Sequence, residues 1–300
     1  MAATLFQLDP PKALFHDLLV EPEDARSILR PQRDARYGFG FALSPYRGCG
    51  HGCRYCYVRD YPHPQHGPEA WGSWASPKLN APELLWAQRH RLHGQTVFLA
   101  SATDPYQPLE REFRLTRGCL EVLLQCPTTR MLLHTRSPLV LQDLELLKAF
   151  GSRLWVGFSI PTDDDTVRQV VEPKAPPIPS RWAAVERLAA AGVEVVVAAT
   201  PLMAMQNPAV FAWRARASGA SGAWTGGLRL LRNDPFYEIL ARNDWLHILD
   251  PDYLEEVRTA LQEAFPGAGS PKSGGRRVRG GAAAPIRAAC ARQPSLFEGI

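Results

Sequence analysis

Three cysteines, Cys49, Cys53 and Cys56, crowd into the string Arg47-Gly48-Cys49-Gly50-His51-Gly52-Cys53-Arg54-Tyr55-Cys56-Tyr57, spaced C-x3-C-x2-C. Three thiolates on one glycine-rich loop can hold three irons of a [4Fe–4S] cluster, and none of the next four residues offers a fourth thiol. Electron-carrying clusters normally take four cysteines and close their coordination shell. A three-cysteine set leaves one iron open, and an open iron is a place for chemistry. Two plainer readings compete: a zinc site completed by His51, and free buried thiols. Against zinc, His51 sits between glycines two residues from both Cys49 and Cys53, whereas structural zinc ligands come as two separated pairs.

The 300 residues, 45% of them hydrophobic, suffice for one large core. The first residues carry Asp9 and Asp17 and lack the basic and long apolar regions of a secretory signal. No apolar run reaches the ~20 residues of a membrane span. Cys119, Cys126 and Cys290 show no pairing pattern, and a reducing cytoplasm suits an oxygen-sensitive cluster, so the chain reads as cytoplasmic. The net charge of +4 is unevenly placed. From Pro266 on there are six basic residues and one acid, so 28 of the 34 basic and 29 of the 30 acidic residues precede it. The body is close to neutral and carries no general nucleic-acid footprint.

Residues 1–40, interrupted by Pro10, Pro11, Pro22 and Pro31, read as an irregular N-terminal extension. Short apolar runs then alternate with amphipathic stretches, the βαβ pattern of a parallel sheet. Expected strands are Phe41–Ser44, Thr96–Ser101, Met131–Thr135, Leu154–Ile160, Val193–Thr200 and Gly227–Leu231. Expected helices lie near Ala81–His90, Thr116–Gln125, Leu139–Phe150, Ser180–Ala191, Pro208–Ser218, Pro235–Leu240 and Asp252–Phe265, with Ser180 as an N-cap. Six such units predict an α/β fold, a partial (β/α)6 barrel over 41–265, followed by a flexible basic tail over 266–300. In a parallel barrel the loops after the strands form the active face. The cysteine loop, Ser101 to Asp104, His134 to Arg136, Ser159 and Thr200 would therefore ring one mouth.

The cysteine string resembles the radical S-adenosylmethionine (radical SAM) superfamily. That resemblance implies a [4Fe–4S] cluster on Cys49, Cys53 and Cys56 whose open iron binds S-adenosylmethionine, cleavage of that cofactor to a 5′-deoxyadenosyl radical, and a low-potential electron donor as partner. Within it, Ser44-Pro45-Tyr46-Arg47-Gly48-Cys49, the tyrosines flanking Cys56, and the order Phe158-Ser159-Ile160, Glu172-Pro173, Arg181 resemble the branch of spore photoproduct lyase and the DNA repair photolyase-like proteins. Position by position, the resemblance implies that Tyr55 packs near adenine and that Thr103, Arg136 and Ser159 meet ribose or carboxylate. The lyases carry lysine where this chain has Arg136, which keeps the charge and changes the donor geometry. Glu172 and Arg181 read equally as cofactor contacts or as an ion pair that fixes a loop.

One departure separates the chain from the lyases. Where they return a hydrogen atom from a cysteine in a Cys-Thr-Ser-Asp string, this chain has Ser101-Ala102-Thr103-Asp104. A serine O–H bond is too strong for that role, so lyase activity itself is not expected. Cys119 and Cys126 read as small buried hydrophobes. Asp104, Tyr106, Gln107 and Glu110 either face substrate or satisfy loop backbone. The terminal Gln293-Pro294-Ser295-Leu296-Phe297 resembles the peptide by which bacterial repair proteins dock on the DNA sliding clamp, with Pro294 where leucine is usual. The leading expectation is a radical SAM enzyme acting on DNA. The alternatives are the same chemistry on a small molecule or protein side chain, and a non-catalytic iron–sulfur binding protein.

Overall fold

The computed structural model describes residues 13–15, 17–32, 39–99, 101–231 and 233–266. Two short strands open the described chain, β1 (Ala13–Phe15) and β2 (Leu18–Val20), followed by β3 (Leu29–Pro31), β4 (Phe41–Leu43), β5 (Tyr46–Gly48) and β6 (Trp74–Pro77). Strand and helix then alternate: α1 (Ala81–Gln88), β7 (Thr96–Leu99), α2 (Glu110–Phe113), α3 (Leu115–Leu124), β8 (Arg130–Thr135), α4 (Leu144–Ala149), β9 (Leu154–Ser159). The chain continues through α5 (Asp165–Val171), α6 (Ile178–Ala190), β10 (Val195–Ala199), α7 (Pro208–Ala217), β11 (Gly222–Thr225), α8 (Phe236–Arg242) and α9 (Pro251–Ala264).

Six parallel strands lie in chain order in the main sheet, β4-β7-β8-β9-β10-β11, with β3 antiparallel on the β4 edge. The sheet does not close on itself, which is the expected partial barrel of six parallel strands. Both faces are covered, so the strands read as continuous apolar runs; all six residues of β9 are buried. Alternation still assigns the faces. Leu154, Val156 and Phe158 join the core shared with Trp182, Val185 and Leu188 of α6, while Trp155 meets Leu132 and Phe39 on the inner side. Along the inner side of β8 and β9 the same alternation places His134 and Gly157, then Arg136 and Ser159, progressively nearer the strand C-termini.

Several expectations are revised. The last strand is Gly222–Thr225, not 227–231, because the glycine pair at 226 and 227 ends the ladder and Leu228 and Leu230 pack instead beside Phe236 and Leu240. The stretch expected as one helix over 139–150 is a 3-10 segment, Pro138–Asp143, running into α4. Helix α5 was not anticipated, although Asp164 caps it by accepting from the Thr166 N–H at 2.7 Å. Ser180 lies inside the first turn of α6, whose N-cap is Pro177. The N-terminal stretch is not irregular where it is described: β1 and β2 belong to a second sheet, ordered β1-β2-β6-β5, and β3 extends the first. Among the described residues no helix is long and apolar enough to cross a membrane.

Candidate active site

Strand β5 delivers the cysteine loop, pairing antiparallel with β6 so that Gly48 lies opposite Ala75. Gly48 has φ +69°, and a Cβ there would come within 2.7 Å of the Trp74 carbonyl oxygen and 2.9 Å of its ring. Only glycine allows so close an approach at that backbone angle. Gly52 (φ +58°) and Gly72 (φ +87°) meet back to back in the same way. Protein groups hold the rest of the loop. The Gly50 N–H donates to Gln107 Oε1 at 3.0 Å, the Arg54 N–H to the Val171 carbonyl at 2.9 Å, and Thr103 Oγ1 to the Gly48 carbonyl at 2.6 Å. Lys174 Nζ donates to the Gly72 carbonyl at 2.8 Å, tying down the loop that faces it.

All three thiols line one open cavity at the C-terminal end of the parallel strands, with about 1340 Å³ of empty space. Tyr55, Thr103, Arg136 and Ser159 line it as well, as do Trp71, Ser101, His134 and Thr200. Burial pushes the Cys49 thiol up to about 12, with the Asp104 charge adding to it, and pushes Cys53 and Cys56 up as well. Such thiols ionise when a cationic group binds them. His51 is 2% exposed, and both its ring nitrogens lack a hydrogen-bond partner. Its Nε2 lies 3.6 Å from Asp104, too far for a hydrogen bond. Among the described residues no group of three or more His, Cys, Asp or Glu side chains is drawn together around a single ion. The fit to an iron–sulfur group rests on donor type and on the shared wall.

Tyr55, Arg136, Glu172 and Arg181 form one buried network. The Glu172 carboxylate accepts from the Tyr55 hydroxyl, from Arg136 and from Arg181. Arg136 also donates to the Tyr55 hydroxyl at 2.7 Å, and its backbone N–H to Asp104 at 2.9 Å. Burial would raise the Glu172 carboxyl, but the two guanidiniums and the Tyr55 hydroxyl outweigh it and hold the group at about 2. Glu172 and Arg181 are both fully buried and lie behind the cavity wall, where Arg181 also donates to the Pro176 carbonyl at 2.8 Å. They orient Arg136 and Tyr55, which do line the cavity. Thr103 sits on the wall with its hydroxyl proton committed to the cysteine loop, whereas Ser159 Oγ is buried there without a partner.

The other polar loop residues brace the scaffold. Asp104 accepts from Tyr106 N, Thr135 Oγ1 and Arg136 N; Tyr106 donates to Asp143 at 3.0 Å; Glu110 accepts from Tyr46 and from the Thr116 N–H. Cys119 is fully buried in the main core, and Cys126 packs against its edge. Neither lines the cavity. Ser101 does, and its carbonyl accepts from Tyr57 at 2.6 Å. Trp71 and the segment from Gly226 to Arg229 complete the wall. No sequence motif marked them, since they arrive from loops far along the chain.

The sequence profile of the radical SAM superfamily matches residues 43–211, more than half of the chain and the whole span from the cysteine loop to α7. The chain belongs to the radical SAM superfamily. An uncharacterized protein of Methanocaldococcus jannaschii is 30% identical over 166 residues, covering 55% of this chain and 61% of its own length. An uncharacterized protein of Mycobacterium tuberculosis is 27% identical over 231 residues, covering 72% and 65%. The chain thus spans less than two thirds of the length of these relatives. Among solved structures, a variant of spore photoproduct lyase with dinucleoside spore photoproduct is similar at TM-score 0.62 and 15% identity, over 83% of this chain and 80% of that one. A second variant, with bound AdoMet and the dinucleoside, is similar at TM-score 0.60 and 13% identity over the same shares. At such identities the likeness is one of fold.

Proposed function

We propose that this radical SAM protein is an enzyme that uses a [4Fe–4S] cluster on Cys49, Cys53 and Cys56 together with S-adenosylmethionine, and that its substrate is nucleic acid. The carrying observation is convergence: three soft thiols, a guanidinium and two hydroxyl-bearing side chains from different strands share one cavity wall. The bound pair would supply one-electron cleavage of a sulfonium and abstraction of a hydrogen atom from substrate. The protein's part is placement. Arg136, held flat by Glu172 and Tyr55, presents fixed donors of the kind a carboxylate takes. Ser159 Oγ, buried without a partner, offers a hydrogen bond to a second ligand beside the thiols. Ser101 keeps a thiol away from the end of β7, which supports a reaction other than that of the lyases.

Nucleic acid as substrate is supported by the dinucleoside bound in the structural neighbour, by the branch resemblance and by the basic residues after Pro266. The expected tail and the Gln293–Phe297 clamp motif lie outside the described residues. The proposed chemistry also requires a low-potential electron donor. A second cavity, lined by His51 of the cysteine loop with Arg111 and Lys174, shares no residue with the first. Anaerobic reconstitution followed by measurement of 5′-deoxyadenosine tests the proposal. Formation that rises when DNA is added, and that is lost in C49A, C53A and C56A, supports it. Iron-loaded protein that yields none, with or without DNA, refutes it.

A further inference from the structure

The inner face of the barrel is layered. Phe39, Phe98, Leu132 and Trp155 make an apolar floor. Above it a middle layer holds His134 and Gly157, with the Trp224 ring laid against Gly157 although the register sets Trp224 itself level with Ala198 and Ser159; Arg136, Ser159 and, last, Thr200 lead on to the mouth. Two polar atoms of the middle layer, His134 Nε2 and Trp224 Nε1, are buried with no partner, as is Thr200 Oγ1 above them. They come from β8, from the residue that follows β10, and from β11 at the sheet edge opposite β3. The His134 and Trp224 rings stand 6.0 Å apart and flank Gly157, where a Cβ would come within 3.0 Å of the Trp224 ring and 3.3 Å of His134. Phe98 lies nearly parallel to His134, with ring centroids 6.3 Å apart.

We propose that His134 and Thr200, backed by Trp224 and given room by Gly157, form a subsite that reads the edge of an uncharged heteroaromatic ring, a nucleobase of the substrate. The assignment rests on the nucleic-acid reading above and adds residues to it. Unpaired buried polar atoms are costly and call for a partner. His134 and Thr200 line the cavity that the thiols share, and a neutral imidazole and a hydroxyl donate or accept, so they can read either edge type, with the Trp224 ring behind them. Burial, helped by the Arg136 charge, holds the His134 imidazole down at about 4, so it is neutral at physiological pH. The layer contains no carboxylate or ammonium, which disfavours an ionised ligand, and its aromatic surfaces suit a flat one. Arg136 and Ser159, to which the resemblance assigns the cofactor, stand one step nearer the mouth than His134 and Gly157, so His134 lies beneath the cofactor contacts while Thr200 stands at the mouth beside them.

The rival occupant with the same chemistry is the adenine of S-adenosylmethionine, and the test separates the two. Reconstituted full-length protein, wild type, H134F and T200V, is titrated anaerobically with S-adenosylmethionine, with free deoxynucleosides, and with a single-stranded oligonucleotide or its abasic counterpart of equal length and charge. Both variants keep shape and remove hydrogen bonds; G157A, which presses a methyl group on both rings, is a third. The expected result is that wild type prefers the base-bearing strand, that each variant loses about tenfold in that preference, and that affinity for the abasic strand and for S-adenosylmethionine stays within about twofold. Equal binding of base-bearing and abasic strands by wild type overturns the proposal, as does a loss confined to S-adenosylmethionine. Deoxynucleoside binding that depends on His134 and Thr200, with no strand binding, upholds the subsite and removes the nucleic-acid reading instead. Absence of both removes both.

Discussion

Glu172 concentrates the consequences of burial in one side chain. Its charge is balanced by Arg136, Arg181 and the Tyr55 hydroxyl, so E172Q leaves the fully buried Arg181 without its counterion among the described residues and leaves Arg136 to the Asp104 carboxylate 3.9 Å away. The expected cost is about 3–5 kcal/mol in urea unfolding at neutral pH. Because the folded carboxyl is held at about 2, below its ordinary value of 4.5, it contributes stability above the ordinary value and loses it as pH falls toward 2. The gap between wild type and E172Q should therefore shrink across that acid range; a constant gap would show that the pairing is not electrostatic. His134 acts in a neighbouring window. Its folded value, about 4, lies below the ordinary 6.5, so the unfolded chain takes up a proton that the folded one refuses. Stability should fall as pH drops from 6.5 toward 4, and H134F should lack that component. The sequence named Glu172 and Arg181 but left open whether they touch a ligand or each other, because a carboxylate and an arginine nine residues apart look alike in both roles.

Among the elements, the cysteine loop is the most constrained. Gly72 cannot carry a side chain, since a Cβ would come within 2.5 Å of the Gly52 Cα, and both residues already have positive φ. G72A should cost roughly 1–3 kcal/mol and lower the iron bound per chain on reconstitution, while G94A, at a positive-φ site with open space around it, should destabilise without changing iron content. Iron binding unaffected by G72A would mean that the two loops are not coupled. The parallel strands from β4 to β10 were legible as apolar runs with helices between them, because burial on both faces leaves little room for polar residues. What misled was chain that is apolar for other reasons. Leu228 and Leu230 pack as loop residues, and the short strands β1, β2 and β6 owe their form to pairing with distant partners, which local composition does not reveal.

For the whole molecule, the arrangement of strands explains why residues scattered from Cys49 to Arg229 meet. Each parallel strand ends at the same rim, so a motif of three cysteines and five later strand ends becomes one wall. The cavity was therefore foreseeable from the strand order, while Trp71 and the chain after Gly226 were not, since nothing in their sequence fixes where a loop folds back. If the terminal peptide docks a sliding clamp, removing residues 292–300 should abolish clamp binding in a pull-down with purified clamp and leave 5′-deoxyadenosine formation unchanged. Equal clamp retention by the shortened chain would exclude that role.

The pairing of β5 with β6, together with the bonds from Gln107, Thr103 and Val171, gives the cysteine hairpin its shape through polypeptide contacts alone. A substitution that frees any one of those anchors, on β6, on the loop after β7 or at the end of α5, should accordingly lower iron loading on reconstitution before it lowers the melting temperature of the whole chain.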